Sequence, residues 1–440
     1  MKKTYTEFNE LSIKNFISSY ENELAVNFLC ADENFRPFAQ GLTELLQKVN
    51  FQGAPSNVQE KTEFLIKKLR EIDSTLTSKT VAAWFDGKYR PKIEPHSRLK
   101  MYEICFALNL NFDQVDWFFH HVYFDRTFNC HSINEVVYFF AFLRNLSYAE
   151  ANEIIAEIES APIDNTDSDD EIYTQFIRNR VASIETVDEL KSFLIQNKKS
   201  FAAWNKTALN RIKMLREEIV GNEAVAKPII RKLRKTLEQC RAETIEFSED
   251  EINKCGLLVR YICLRARSDK NFGGKYNAVE LEESIENANV FSNDFVLKNF
   301  LGMLTGINKR INVPYIVKNN FPSKKILSEV LNDGKSNVSK SYDAIRKMLI
   351  LFHFHNFWYK VKLHDLENLE PEEIENLPEI YRNETDTLLE QCGYEPLYAG
   401  NPFDWIFLCS ANSQDSDSPE NYAYPLDFFA ELILNLTDEL

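Results

Sequence analysis

Thr77-Ser-Lys-Thr-Val-Ala-Ala-Trp-Phe-Asp-Gly-Lys-Tyr-Arg-Pro91 carries the signals of a short helix with defined ends. Thr77 or Ser78 can accept from the first free amides of a helix, and Gly87 can take the left-handed conformation that stops one. Between them, Val81, Trp84 and Phe85 recur at the spacing of one buried face, which leaves Ser78, Lys79 and Ala82 facing outward. Lys88 and Arg90 follow the stop, and Pro91 keeps the chain out of helix there.

Upstream, Gln52-Gly-Ala-Pro55 breaks the pattern. Val58–Ile72 is then amphipathic, with Phe64, Leu65, Leu69 and Ile72 at helical spacing. Downstream, His96–Leu108 brings Leu99, Tyr102, Ile104, Cys105 and Leu108 to one side. Further helices are expected at Ser12–Glu23, Arg36–Val49, Asp113–Val122, Ile133–Leu143 and Tyr148–Ile158. A short second helix whose N-terminal residues face outward can reach base edges in a major groove. Residues 56–101 hold ten basic and six acidic side chains, a local excess of about four positive charges suited to phosphates.

These residues resemble the lambda-repressor-like (Xre/Cro-type) helix-turn-helix family. The likeness runs over Thr77-Ser78-x-Thr80-Val81-x-x-Trp84-x-x-Gly87-Lys88-x-x-Pro91 and on to Phe106-Ala107-Leu108-Asn109-Leu110. In length and layout the whole chain is similar to long Firmicute proteins that carry such a unit. The resemblance implies a bacterial DNA-binding or transcription-regulating protein in which Ser78, Lys79 and Ala82 face bases and Lys88 and Arg90 face phosphates. One departure bears on readout: Ala82 and Ala83 offer no hydrogen bonds, and the helix has no outward Arg, Asn or Gln.

Composition sets the frame for the remainder. The chain has 440 residues, 44% of them hydrophobic, with 33 Phe and only 12 Gly. Low glycine and long amphipathic runs predict a mostly α, multi-domain helical protein. Its N-terminal part holds the helix-turn-helix, and a helical bundle makes up the C-terminal part. The net charge of −16 opposes nonspecific nucleic-acid binding. The longest apolar run, Lys347–Trp358, falls short of the roughly 20 residues of a membrane span and contains His353 and His355, so no membrane partner is expected. The eight Cys are scattered and Met1–Glu7 lacks the apolar core of a secretion signal, which together predict reduced thiols and a cytoplasmic protein.

The expected division is a helical domain over 1–159 with the helix-turn-helix at about 56–110, and an acidic linker over 160–171. A bundle with a basic stretch follows over 172–300, and a second helix-turn-helix-like unit with an acidic, aromatic C-terminal part over 301–440. Between Lys191 and Arg241, 13 basic residues face 4 acidic ones, densest at Ile230–Lys235. From Leu363 onward, 19 acidic residues accompany one basic residue, Arg382. Leu331-Asn-Asp-Gly-Lys335 followed by Arg346–Phe354 echoes Phe85-Asp-Gly-Lys88 followed by Arg98–Phe106, with Ser323–Val330 as the matching short helix.

Catalytic signals are sparse. Arg126 and His131 have the Arg-x4-His spacing of HEPN-type RNases, but at five positions apart a helix would bring the two side chains together poorly. His120, His121, Cys130 and His131 are metal-capable, yet neighbouring His side chains on a helix diverge and zinc needs convergent ligands. Asn271-Phe-Gly-Gly-Lys-Tyr276 is too short for a phosphate loop. No metal and no cofactor are expected. The leading expectation is a DNA-binding regulator that works through Ser78, Lys79, Lys88 and Arg90, with a homodimer among its assemblies. The alternative is a protein-interaction scaffold, in phage defence among other settings, with a degenerate helix-turn-helix. It would dock partners through the aromatic segments Trp117–Phe124 and Asn401–Leu408. The third is a HEPN-like RNase using Arg126 and His131.

Overall fold

Every regular element among the described residues is helical, as the low glycine content and the amphipathic runs require. The computed structural model describes residues 5–14, 22–31, 33–130, 132–162, 174–201, 206–222, 224–229, 231, 249–261, 317, 320, 324–331, 342–363, 376–413 and 424–437. Two units form from interrupted stretches of chain. One gathers residues 1–34, 208–385 and 397–440; the other gathers residues 35–207 and 386–396. This division differs from the one drawn on the sequence. Residues 1–34 belong with the C-terminal part, and residues 174–207, beyond the acidic segment, stay with the unit that holds Thr77–Pro91.

The chain opens with α1 (Tyr5–Ile13) and α2 (Asn22–Cys30). The unit of residues 35–207 then follows with α3 (Phe38–Lys48), α4 (Val58–Arg70), α5 (Ser78–Phe85), α6 (Pro95–Ala107) and α7 (Phe112–Phe118). A π-turn over Phe119–Tyr123 leads to α8 (Ile133–Arg144), α9 (Tyr148–Ser160), α10 (Thr174–Ser183), α11 (Val187–Gln196) and α12 (Lys198–Phe201). Local chemistry sets many of the starts. Asn57 caps α4 by accepting from the amides of Gln59 and Glu60, and the pairs Asn111/Gln114 and Ser147/Glu150 form reciprocal capping boxes on α7 and α9. The short α5 packs on α3 and α4, α4 also meets α6, and α8 pairs with α9. Leu42, Leu45, Leu65, Val81, Met101 and Val136 are fully enclosed between these helices.

Arg98 organises the interior of this unit. Its guanidinium bonds the Glu135 carboxylate at 2.9 and 2.6 Å, pairs with Asp125, donates to the Arg126 carbonyl at 3.0 Å and reaches the Tyr102 hydroxyl at 3.1 Å. The Tyr102 hydroxyl lies within hydrogen-bonding reach of both Glu135 and the Thr127 carbonyl, with one proton to donate between them, and the Asn129 amide donates to Glu135 at 2.6 Å. The loop from Asp125 to Asn129 is thereby fixed to α6 and α8.

Lys198 ties the chain beyond the acidic segment back to α9. Its Nζ donates to the carbonyls of Ile158, Glu159 and Ala161 at 3.0, 2.8 and 2.7 Å, covering the helix end where carbonyls lack helical partners. In addition α10 packs on α8 and α11 on α9. Cutting the chain at a protease site inserted within residues 163–173 is therefore expected to leave the two pieces together. Co-elution on size exclusion at micromolar concentration checks this, and separate elution would refute it.

The other unit adds α13 (Lys206–Val220, from Ala208 on), α14 (Glu249–Ile252), α15 (Lys324–Leu331), α16 (Tyr342–Lys362), α17 (Leu377–Gln391, up to Thr385), α18 (Pro402–Ala411) and α19 (Tyr424–Thr437). α16 is apolar nearly all round. Met348, Leu349, Ile350, Leu351, Phe352 and Trp358 are all enclosed, the pattern of a central buried helix. Its polar members are matched: His355 Nδ1 lies 2.9 Å from the Leu351 carbonyl, and Asn356 donates to Glu218 at 2.8 Å. α1 packs on α18 and α2 on α19. Trp405 Nε1 donates to the Ser12 hydroxyl at 2.9 Å, Asn9 to the Ala399 carbonyl at 3.2 Å, and Asn22 to the Phe428 carbonyl at 3.1 Å.

Asn401–Leu408, expected to dock a partner, is buried throughout, as are Phe118, Phe119, Val122, Tyr123 and Phe124 of the other aromatic segment. These rings fill cores because each removes a large apolar area from water. The short helix expected before Leu331 forms as α15. The rest of the echo over 332–341, the basic run Ile230–Lys235 apart from Arg231, and Asn271–Tyr276 lie outside the described residues. No helix among the described residues is long and apolar enough to cross a membrane.

Candidate functional site

The surface around α5 is assembled from the residues that the sequence singles out. Thr77 sits in extended conformation and its side chain accepts from the Thr80 amide at 3.2 Å. Val81, Trp84 and Phe85 are buried, and Trp84 meets the Phe38 ring edge-on at 5.9 Å. Lys61 lies under the helix. Its Nζ donates to the Thr43 hydroxyl at 3.0 Å and rests 4.9 Å from the Phe85 ring, and burial lowers the pKa of its ammonium.

The connection from α4 to α5, residues 71–77, is longer than the three or four residues usual between such helices. It is pinned to α6. Ser74 donates to the Glu103 carboxylate, and Lys100 donates to Glu103 at 2.7 Å and to the Thr75 hydroxyl at 2.6 Å.

The exit from α5 is held as firmly. Gly87 adopts φ +74°, which glycine takes without strain, and a Cβ placed there would meet nothing within 4 Å. The backbone angle, not crowding, is what calls for glycine. Arg90 donates through Nη2 to the Tyr123 carbonyl at 2.5 Å and lies 4.7 Å from the Phe124 ring. Tyr123 donates its hydroxyl to the Lys92 carbonyl. Pro91 is buried. Phe124, at φ +60°, closes the π-turn in a left-handed conformation rare for a bulky residue, and Arg90 packs over it.

The four expected DNA-facing residues therefore fare differently. Ser78 and Lys79 are exposed on α5. Lys88 projects with 71% of its side chain exposed and pairs with Asp86; that hydrogen bond holds its pKa above the ordinary lysine value. Arg90 is half-buried, and its guanidinium is held at the π-turn by the Tyr123 carbonyl and the Phe124 ring. Sequence spacing alone did not single out Lys67, Arg70 and Lys92, which are also exposed. The signal for the first two was present, since positions 67 and 70 lie one turn apart on the polar side of α4. On α5 the half-exposed Ala82 and Ala83 offer no hydrogen bonds, which leaves Ser78 and Lys79 as the exposed groups of the helix able to reach a base edge.

Arg126 is 3% exposed and its guanidinium lies 5.4 Å from the Tyr394 ring, enclosed from any ribose. His131 lies outside the described residues. Cys130 is buried, and burial pushes its thiol up to about 11, far from a reactive thiolate. The His120 and His121 rings lie 4.9 Å apart, tilted by 45°. Burial, followed by the neighbouring His120 and Arg36, lowers His121 to about 4. No group of three or more His, Cys, Asp or Glu among the described residues can hold a metal.

Comparison with known protein families, with curated proteins and with solved structures finds no match.

Proposed function

We propose that this protein binds duplex DNA through α5 and its flanking cations as a helix-turn-helix module. Its contacts are mainly to phosphates and its role is regulatory. The observation that carries the reading is the face built around α5. The helix is capped and fixed by Val81, Trp84 and Phe85 on one side, and it exposes Ser78 and Lys79 on the other; Lys67 and Arg70 are exposed on α4, which packs on α5, and Lys92 on the exit loop. Cations so placed neutralise phosphates whatever the base sequence. With Ala82 and Ala83 on the outward face, base discrimination is weak.

Anisotropy titration of the full chain with labelled duplex pools tests this. Binding is expected at about 50 mM salt and should weaken steeply toward about 200 mM. Lys79→Ala should weaken binding alike for all sequences and make the salt slope shallower by about 1. Absence of binding at the lower salt would overturn the proposal.

A second reading rests on the same alanines. Two half-exposed methyl groups and no outward Arg, Asn or Gln, on a chain of net charge −16, suit a protein partner better than a base pair. In that case, purification from the native host would yield a stoichiometric protein and no DNA.

A further inference from the structure

Among the described residues of the unit 35–207 and 386–396, one large apolar side chain stands well out of the surface: Tyr89, 62% exposed. A single exposed tyrosine is ordinary on a protein surface. What distinguishes this one is how firmly its backbone is held while its ring is left free. Gly87 turns the chain before it. Arg90 anchors the next residue to the Tyr123 carbonyl and the Phe124 ring. Pro91 is buried, and the Tyr123 hydroxyl holds the Lys92 carbonyl. Four anchors thus fix a loop whose only large apolar side chain faces solvent.

The chemistry around Tyr89 is cationic. Lys88 and Lys92 lie on the same loop and are exposed, Lys88 paired with Asp86. Lys79 is exposed at the start of the same short helix. A ring with a terminal hydroxyl, on a rigid loop that also exposes Lys88 and Lys92, matches one surface well: a sugar–phosphate backbone. The ring can pack on a deoxyribose, the hydroxyl can donate to a phosphate oxygen, and the ammoniums neutralise its neighbours.

We infer that the loop Gly87–Lys92 is a preformed contact for the duplex backbone, with Tyr89 as its contacting residue and Arg90 as the positioning residue that holds the loop in place. The inference rests on the DNA-binding reading and deepens it. Because the loop is already ordered, binding loses little entropy there. An uncharged contact also releases no counterion, so its loss should change affinity without changing salt dependence.

The full chain, titrated with the same duplex pools at several salt concentrations, separates the outcomes. Tyr89→Ala is expected to weaken binding about tenfold and Tyr89→Phe about threefold. Both should keep the wild-type salt slope and melting temperature, in contrast to Lys79→Ala, which flattens the slope. Tyr89→Ala binding within about twofold of a wild type that does bind would overturn this inference and leave DNA binding standing. A wild type that binds no duplex at low salt would overturn both. Tyr89→Ala that binds DNA normally but loses a co-purifying protein would reassign the loop to a protein partner and overturn the inference. If Tyr89→Ala melts lower than wild type, Tyr89→Phe decides, since it keeps the ring, and full wild-type affinity in that variant would overturn the hydroxyl contact.

Discussion

Replacing Arg98 by Met should destabilise the unit of residues 35–207 by about 3–5 kcal/mol, because Asp125 and Glu135 would remain buried without their cation. Their side chains are only 3% and 5% exposed, so water cannot take over the role of the guanidinium. For a unit of this size the loss corresponds to a fall in melting temperature of about 10 °C. Calorimetry on the full chain reads it as a shift of one transition while the other stays in place. Neutralising the stranded acids in the triple variant Arg98→Met, Asp125→Asn, Glu135→Gln should recover part of the loss, since an unpaired buried charge costs more than a buried amide. An Arg98→Met shift under about 2 °C would show that the loop Asp125–Asn129 is held by packing alone.

The same network sets an acid limit. Burial by itself raises the Glu135 carboxyl, but Arg98 outweighs it and holds the pKa below its ordinary value of 4.5. A carboxyl depressed in the folded state stabilises the fold above its unfolded pKa and loses that contribution as pH falls through the lower folded value. The unit should therefore lose stability below about pH 4.5, and Glu135→Gln should flatten that part of the profile while lowering stability near neutrality.

In the other unit, Asp404→Ala should cost about 3–5 kcal/mol by stranding a buried cation. Arg346 meets Asp404 through two bonds of 2.7 Å, and the Tyr398 amide donates to the same carboxylate at 3.0 Å. Asp404 is fully enclosed, and α16, α18 and the turn before α18 all depend on it. Replacing both partners by apolar residues of similar size, Arg346→Met with Asp404→Leu, should recover most of the loss, since a buried pair often contributes little beyond what a packed apolar pair does. Denaturant titration of the two singles and the double gives the coupling, and a double variant no more stable than either single would refute this account. The two buried pairs lie in different units, so the two sets of losses should move different transitions.

Much of the α5 region was legible in the sequence because its signals are local. A capping Thr77, a face of Val81, Trp84 and Phe85, and a stop at Gly87 each act within a turn or two of chain, so the helix begins and ends where those residues place it. The fate of Arg90 was not legible. A cation after a helix stop can reach a phosphate or a carbonyl with equal ease, and the choice fell to Tyr123 and Phe124, more than thirty positions along the chain. Aromatic runs misled in a related way. Period and hydrophobicity state that Trp117–Phe124 and Asn401–Leu408 must be covered, but not by what, and here the protein's own helices cover them.

The assembly of residues 1–34 with the C-terminal helices lay further from view. Bonds such as Trp405 to Ser12 and Asn22 to Phe428 join groups about 400 positions apart, and a sequence pattern carries no record of such pairings. By itself the sequence determined that this chain is helical, where α5 starts and stops, and which side of it is apolar, because backbone propensity, caps and periodicity are short-range. Only the tertiary structure decided which charges were taken inward. It placed Arg98 among Asp125 and Glu135, turned Arg90 onto the π-turn, and left Lys79, Lys92 and Tyr89 at the surface. Burial and pairing are properties of the folded neighbourhood, set by which helices meet and not by the residues beside them in the chain.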